Sequence, residues 1–527
     1  MFMKTKYIFK GLIMSLLLTI AVSGCDSYNE AVIENLNVSK EFSPIELTAK
    51  VKNQTTVELN WSLKQDQVVD NYVVEFSADD PEFKTIFKTI NVTQDQLPVQ
   101  VALEGETVYS IRVKALSTSG LDDSAWSVVT ATTLSEQIFF PIQETDIEGT
   151  SVTVRWTPNS NVTQISVAPG GITHTITAEE KIAGVAIVTG LSGDTSYTAT
   201  LLNGLKTRGT LTFTTGVDVS TGTVVNPGDN LNLLITQAAA GAKLYLMPGD
   251  YNAYIGDIIL TKPITIRGVK RYDKPLVNVT FTAAAGASSL SLIDLDLDGT
   301  GINNSALITV SGASSTYDDI LISGCKVHDY TRALISANAL LTKVRSFTVD
   351  NSIVRNVNTN VGADLIDFRA TYIADIILKN STFDNCSTSR DFVRVDAVAP
   401  ANSGFSGTGL TTNVLIDHCT LYKVSNTAAP KRILYLRFND NASIVRNTLI
   451  TETTAIYTNQ STTKEPTFAK NYYYNAASFM DGSINLNKVD AGGIVADPQF
   501  TNAANGDFTI GNQTLKDNAI GDPRWIK

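Results

Sequence analysis

The chain has 527 residues, 43% of them apolar and 18% charged, with a formal net charge of −11. Those values describe a globular chain long enough for several domains. The acidic balance argues against nucleic acid and against broad binding to anionic lipid, so an acidic ligand would need a local cluster of Arg and Lys.

At the N-terminus, Lys4, Lys6 and Lys10 precede an apolar run from Gly11 to Val22. The run is too short and wrongly flanked for a stable membrane span. It ends in Val22-Ser23-Gly24-Cys25. This segment resembles a bacterial lipoprotein signal, the alternative being an ordinary signal peptide with an incidental cysteine. The resemblance implies removal of residues 1–24, acylation of Cys25, a tether over 25–40, and membrane contact through the lipid anchor only. Localisation would be the cell outer membrane, periplasm-facing or surface-exposed. Several acyl chains anchor firmly where one is marginal.

Residues 41–134 are predicted as seven short strands. Val57-Glu58-Leu59-Asn60-Trp61 and Tyr72-Val73-Val74-Glu75-Phe76 alternate in polarity, as does the run Tyr109–Ala115. Polar turns space them as in a sandwich. Pro44, Leu47, Trp61, Tyr72, the Tyr109/Arg112-Val113/Ala115 set and Ser124-Ala125-Trp126-Ser127 resemble a fibronectin type III domain. Residues 135–216 resemble a diverged second copy, with Val152-Thr153-Val154-Arg155-Trp156 as the tryptophan strand and Leu191 with Tyr197-Thr198-Ala199-Thr200 as the later tyrosine strand. The Arg-Val pair is missing there. Both copies are expected to be spacers, followed by a linker over 217–229.

Leu231, Leu234, Ile235, Ala238 and Ala239 then fall at helical spacing, followed by a strand at Lys243–Met247. From there a segment recurs roughly every 24–38 residues, a period of solenoid type. Its aligned column reads Gly268, Asp294, Gly324, Asn351, Asn380, His418, Asn447 and Asn471. The third residue onward (Val327, Val354, Phe383, Leu421, Ile450) and the sixth (Val357, Cys386, Val424) are predicted to point inward. Stacked Asn side chains would hydrogen-bond between coils, making the column structural. Cys325 and Cys419 follow the column where other coils have Ser352, Ser381, Thr448 and Tyr472, so buried thiols are expected.

The helix and following strand resemble the N-terminal cap of pectate-lyase-like parallel β-helices. Ala496-Asp497-Pro498-Gln499-Phe500, Gly506-Asp507-Phe508 and Gly521-Asp522-Pro523-Arg524-Trp525 resemble their closing segment. The resemblance implies an all-β chain in which two fibronectin type III-like sandwiches precede a right-handed parallel β-helix over 230–527. That fold hosts lyases, hydrolases, esterases and inert binders.

A second strand follows each column turn, at 333–338, 365–370, 392–397 and 433–438. Alternation points Ile335, Ile366, Phe368, Val393, Val395, Leu434 and Leu436 inward. Two outward columns result, Ser336/Asp367/Arg394/Tyr435 and Asn338/Arg369/Asp396/Arg437. With coils about 4.8 Å apart these form one patch. Lys343, Arg345, Lys431 and Arg432 are expected near its rim, and the insertion 397–411 would wall it. Two readings stand open: a ladder of Asp–Arg pairs, or contact with a uronate-containing polysaccharide through Arg369, Asp367, Asp396, Tyr435 and Asn338. If catalysis occurs, the patch would suit β-elimination, in which a side chain removes the proton beside the uronate carboxylate. Resemblance to the lyases implies an Arg or Lys base, here Arg394, Lys431 or Arg437, with Ca²⁺ held by Asp367 and Asp396. Lysine is the chemically easier base.

Asn413-Val414-Leu415-Ile416-Asp417-His418-Cys419 resembles a pectate lyase segment, but Asp417-His418 falls on the turn column and the Arg-x-Pro-x-x-Arg motif is absent. The Gly-His-Gly and paired-Asp motifs of polygalacturonases are also missing, though Asp367 and Asp396 could pair as hydrolase carboxylates do. The alternating run Asp294-Leu295-Asp296-Leu297-Asp298 follows strand polarity better than a calcium motif. The whole resembles lipoproteins of bacterial polysaccharide-utilisation systems, which implies binding, with or without cleavage, of a pectin-like polysaccharide. Delivery of glycan to an outer-membrane transporter and a structural or adhesive role are the alternatives.

Overall fold

A computed structural model describes residues 39–64, 69, 71–360, 362–396 and 405–527. The predicted signal, Cys25 and most of the tether lie outside the described residues, as do 397–404 of the insertion. Packing divides the chain into two compact units, the larger of which contains all of 211–527.

The first sandwich has the seven expected strands. Ile45–Lys52, Thr56–Ser62 and Val99–Ala102 form one sheet; Lys88–Thr93, Asn71–Ala78, Val108–Ala115 and Ser127–Thr132 form the other. Alternation buries Val57, Leu59 and Trp61 against Tyr72, Val74 and Phe76, and the Trp61 and Tyr72 rings meet edge-on at 5.1 Å. The Tyr109 hydroxyl accepts a hydrogen bond from the Glu104 amide at 3.0 Å, a tyrosine corner of the kind found in such sandwiches. The second copy has its own corner, with the Ser192 amide donating to the Tyr197 hydroxyl at 2.9 Å. Its tryptophan strand Ser151–Arg155 pairs antiparallel with Val185–Thr189. Both modules are therefore fibronectin type III-like.

The remainder is a parallel β-solenoid. Sheet A has ten strands and runs from Thr223–Val225 through Lys343–Asp350, Tyr372–Lys379 and Thr412–Asp417 to Thr467–Ala469. Its first strand pairs with Ala242–Leu246, so the segment expected as linker already belongs to the solenoid. Two further faces share one fifteen-stranded sheet. Sheet B carries short strands such as Asp296–Asp298, Lys326–His328, Ile353–Arg355 and Thr382–Asp384; sheet C carries Ala333–Ala337, Ile366–Phe368, Val393–Val395 and Leu434–Leu436. All predicted inward residues are fully buried in one continuous core. Each such side chain contributes roughly 1.5–3 kcal/mol. The helix Leu231–Gln237, capped by the Asn230 side chain, sinks Leu231 and Ile235 into the same core.

The Asn column is the turn from sheet A to sheet B, and its residues adopt the left-handed conformation: Asp294, Gly324, Asn351, Asn380, His418 and Asn447 have φ between 46° and 65°. Asn, Asp and Gly tolerate that region best. Gly268 is instead extended, and a Cβ there would lie 2.2 Å from the Asp294 carbonyl oxygen. The side chains do not stack Asn on Asn as expected. Asn380 donates to Asp350 at 3.0 Å and Asn447 to Asp417 at 2.9 Å, acids of the coil below. The last member is Lys470, φ 53°, because Arg446 pairs with Ala469. Asn471 sits one place on, buried in the small-residue column, where it accepts from the Thr448 amide at 3.2 Å as Ser352 does from Cys325 at 3.1 Å. Cys325, Cys386 and Cys419 are buried free thiols, and burial pushes the first two up to about 12. A second left-handed column, Asp329, Asn356, Asn385, Lys423, Glu452 and Asn475, ends the short sheet B strands, and there Asn385 does donate to Asn356 at 2.9 Å.

The closing segment folds back along the outside of sheet B. Trp525 donates from Nε1 to Thr382 at 2.8 Å, the Gly521 amide donates to the Asn447 carbonyl at 2.9 Å, and Arg524 donates to the Asn351 carbonyl at 2.7 Å. Ile510, Leu515 and Ile520 pack with Leu449 and Tyr472 in a separate buried cluster.

Candidate functional site

Sheet C carries the predicted columns in the predicted register: Ser336, Asp367, Arg394 and Tyr435 pair in succession across four coils. One step past the strands, the Arg369 amide bonds the Ala337 carbonyl, that of Asp396 bonds Phe368 and that of Arg437 bonds Val395, at 3.1, 2.8 and 2.7 Å. The second column therefore also stands.

The pairing between these side chains differs from a ladder across coils. Arg369 Nε donates to both oxygens of Asp367 on its own strand, at 2.9 and 3.0 Å. Arg394 Nε and Nη2 donate to Asp396 at 3.0 and 2.7 Å, again along the strand. The link between coils is Asp364, a residue that the alternation pattern did not mark. Its carboxylate accepts from Arg369 Nη2 at 3.0 Å and from Arg394 Nη1 at 3.4 Å, and lies 3.4 Å from Arg390 Nε. Asp391, one coil on, holds Arg432 through two bonds of 2.7 and 2.6 Å. A third column, Asp364, Asp391 and Arg432, thus precedes the strands. Alternation misses it because Leu365–Ile366, Phe392–Val393 and Ile433–Leu434 are adjacent pairs buried together. Those apolar doublets were the available signal.

Charge is layered across this face. The Asp364, Asp367, Asp391 and Asp396 side chains are 1%, 3%, 4% and 10% exposed, whereas those of Arg394, Arg432, Arg369 and Arg437 are 17%, 19%, 31% and 42% exposed. The acids form a floor and the guanidinium groups face outward. Burial alone would push Arg394 down, but its hydrogen bonds to Asp396 and the neighbouring carboxylates outweigh that and hold it above its ordinary value. Burial raises Asp367, with Arg369 opposing in part. The Tyr435 ring lies against Arg432 at 4.2 Å and Arg394 at 4.9 Å. Asp396 Oδ1 is buried without a hydrogen bond, 3.7 Å from Arg437 Nη1.

The remaining predicted residues are placed as follows. Asn338 is exposed at the start of the second column, and Lys431 is half-buried beside Arg432. Lys343 reaches the rim, its amine 5.3 Å from the Phe405 ring. Arg345 does not; it lies on the outward side of sheet A and pairs with Asp319. Asp367 and Asp396, the expected calcium ligands, are each engaged by an arginine, so a cation would compete with Arg369 and Arg394 for their oxygens. Of the insertion, Phe405 packs on Tyr372 at 5.7 Å, and the Tyr372 hydroxyl donates to the Thr411 carbonyl at 2.7 Å. Asp417 and His418 stay on the turn column, where Arg446 and Asn447 hold the Asp417 carboxyl below its ordinary range against the effect of burial.

Residues 249–386 match the family described as Domain of unknown function (DUF4957), and residues 414–525 match Domain of unknown function (DUF5123). The second match takes in the last coils together with the closing segment. No curated protein matches the chain. Among solved structures, a two-domain fibronectin type III segment of chicken tenascin aligns at 19% identity, covering 32% of this chain and 97% of its own, with a TM-score of 0.23. The FN1–FN3 domains of chicken CNTN1 align at 14% identity over 34% of this chain and 68% of their own, with a TM-score of 0.16.

Proposed function

We propose that the sheet C strip binds an acidic, uronate-containing polysaccharide of pectin type. The observation that carries this reading is the layering of charge: arginines are held outward, on adjacent coils, by carboxylates sunk beneath them. Arginine meets carboxylates through paired hydrogen bonds. Acids below the surface fix the guanidinium planes in advance, which lowers the ordering cost of binding. Coils about 4.8 Å apart present the groups as a line, suited to an extended chain. Asn338, Tyr435 and Arg437 edge the strip.

Cleavage by β-elimination is a further step of the same reading. Arg394 is held protonated by Asp396, so Lys431 is the better base of the three candidates. Binding needs no Ca²⁺ in this reading, because arginines already occupy the carboxylates. Export, acylation of Cys25 and outer-membrane anchoring rest on residues 1–25. They would place the strip where it could retain glycan for a transporter.

Electrophoresis in native gels containing polygalacturonate tests the reading. Retardation is expected for the protein, unchanged by chelator, weakened by salt and lost in Arg394→Ala. Ultraviolet absorbance of unsaturated uronate in the same incubations would report cleavage, and Lys431→Ala should abolish it. Absence of retardation across a panel of uronans would overturn the binding reading and leave a structural or adhesive role.

A further inference from the structure

A fourth column flanks the strip at the corner between sheets B and C. Counting three residues back from the paired Ile335, Ile366, Val393 and Leu434 gives Arg332, Ala363, Arg390 and Lys431. Gly362 and Ala363 leave one coil of this column without a long side chain, and the arginines on either side lean onto it. From the preceding coil the Arg332 stem comes up to Gly362, where a Cβ would lie 3.7 Å from its Cγ. From the following coil Arg390 Nε donates to the Ala363 carbonyl at 3.1 Å. Gly362 itself is exposed, so solvent reaches the coil at the point where the two arginines approach. Arg369 and Arg394 reach back from the strip to Asp364 of the same coil, which makes corner and strip continuous.

Two observations point to an anion at this corner. The first is an unpaired charge. Arg332 is the one arginine of this face in no ion pair among the described residues, and its Nε is buried without a hydrogen bond. A buried guanidinium nitrogen normally has an acceptor. Asp364, the acid of the coil it leans on, is already shared by Arg369, Arg390 and Arg394. The second is the charge count. Over 331–338, 362–370, 387–396 and 430–438 this face carries seven basic and four acidic side chains, in a chain whose net charge is −11. Seven against four leaves three positive charges uncompensated across four coils, about 14 Å along the solenoid axis. A pyranose unit is about as long as one coil step. A glycan lying there answers every charge only when consecutive sugars bear carboxylates. One with carboxylates on alternate sugars, or masked as methyl esters, would leave guanidinium groups facing neutral ones.

We propose that Arg332 and Arg390 form a further carboxylate subsite at Gly362, and that the ligand is a polyuronate with free carboxylates on consecutive sugars. This inference rests on the glycan reading of the strip and narrows its substrate class.

Isothermal titration of the full chain with three ligands of matched length tests it: polygalacturonate oligomers, the same oligomers partly methyl-esterified, and hyaluronan oligomers, in which uronate alternates with a neutral sugar. The unesterified polygalacturonate should bind most tightly. Arg332→Gln should weaken that binding about tenfold, the loss of one charge-assisted hydrogen bond, and should change binding of the other two ligands little. Arg332→Lys keeps the charge without the paired geometry and should recover part of the affinity. Because Arg332 holds no ion pair, Arg332→Gln should melt with the unaltered protein, which separates a ligand contact from a structural one. Unchanged polygalacturonate affinity in folded Arg332→Gln, equal weakening of all three ligands, or equal affinity of the unaltered protein for all three would overturn the subsite. The strip reading would then still stand on loss of binding in Arg394→Ala. No binding of any uronan by the unaltered protein would overturn both.

Discussion

Asp364 is the residue on which the sheet C strip turns. It is almost wholly buried and meets three guanidinium groups from two coils. Replacing it by Asn would leave buried arginine nitrogens facing a neutral group. Removing one partner of a buried ion pair costs about 3–5 kcal/mol, and less where the partner is part-exposed as here. Asp364→Asn should therefore lower the urea midpoint by the equivalent of about 2–3 kcal/mol. It should also weaken polygalacturonate retardation, since Arg369 and Arg394 lose their common anchor. Asp417 offers a pH test. Its folded pKa lies below the unfolded value through bonds from Arg446 and Asn447, so its stabilisation is present above about pH 4 and is lost as pH falls through the folded value. Arg446 is half exposed, so the effect should be about 1 kcal/mol or less. The difference in melting temperature between the protein and Asp417→Asn should be small at pH 7 and shrink as pH falls below about 4.

At the scale of the coil, two left-handed columns bracket the sheet B strands from Lys326–His328 to Tyr472–Tyr474, and most of their residue types follow from backbone sterics. A β-branched residue in that conformation is strained by roughly 1–2 kcal/mol. Asn447→Val should thus be destabilised by about that amount plus the lost bond to Asp417, of about 1 kcal/mol. Asn447→Gly should lose only the bond, and thermal unfolding should rank the three proteins accordingly. The column was legible in the sequence because few residue types tolerate positive φ. Its last member was misplaced because Lys470 occupies the left-handed position and Asn471, the residue that looks typical, performs a buried hydrogen-bonding task one place on. The arginine columns were legible for a different reason: alternation with period two places residues on the outward face whatever they touch. Asp364 escaped because adjacent buried pairs such as Leu365 and Ile366 break that alternation.

At the scale of the molecule, the closing segment decides which faces remain open. It covers the outer side of sheet B over Asn351, Thr382, Thr420 and Asn447, and leaves the arginine strip of sheet C uncovered. Ile510, Leu515 and Ile520 are fully buried in that arrangement. At roughly 1.5–3 kcal/mol for each, removal of 496–527 should cost several kcal/mol. The truncated chain is expected to melt at lower temperature and to aggregate through newly exposed Leu449 and Tyr472. Polygalacturonate retardation should persist below the new melting temperature, since no residue of the strip is removed. Differential scanning fluorimetry and native electrophoresis would check both outcomes.

What the sequence determined by itself was periodic. The alternating strands of the sandwiches, the recurring left-handed turn and the apolar stripes of each coil are local requirements of backbone geometry and burial, so they are written residue by residue. What the tertiary structure decided was pairing. Whether Arg394 meets Asp367 across the coil or Asp396 along its own strand depends on side-chain reach within a packed sheet. That Arg332 and Arg390 lean onto one coil, and that the closing segment lies lengthwise over sheet B, depend on contacts between residues far apart in the chain. No local pattern encodes those, because they arise only when the coils are stacked.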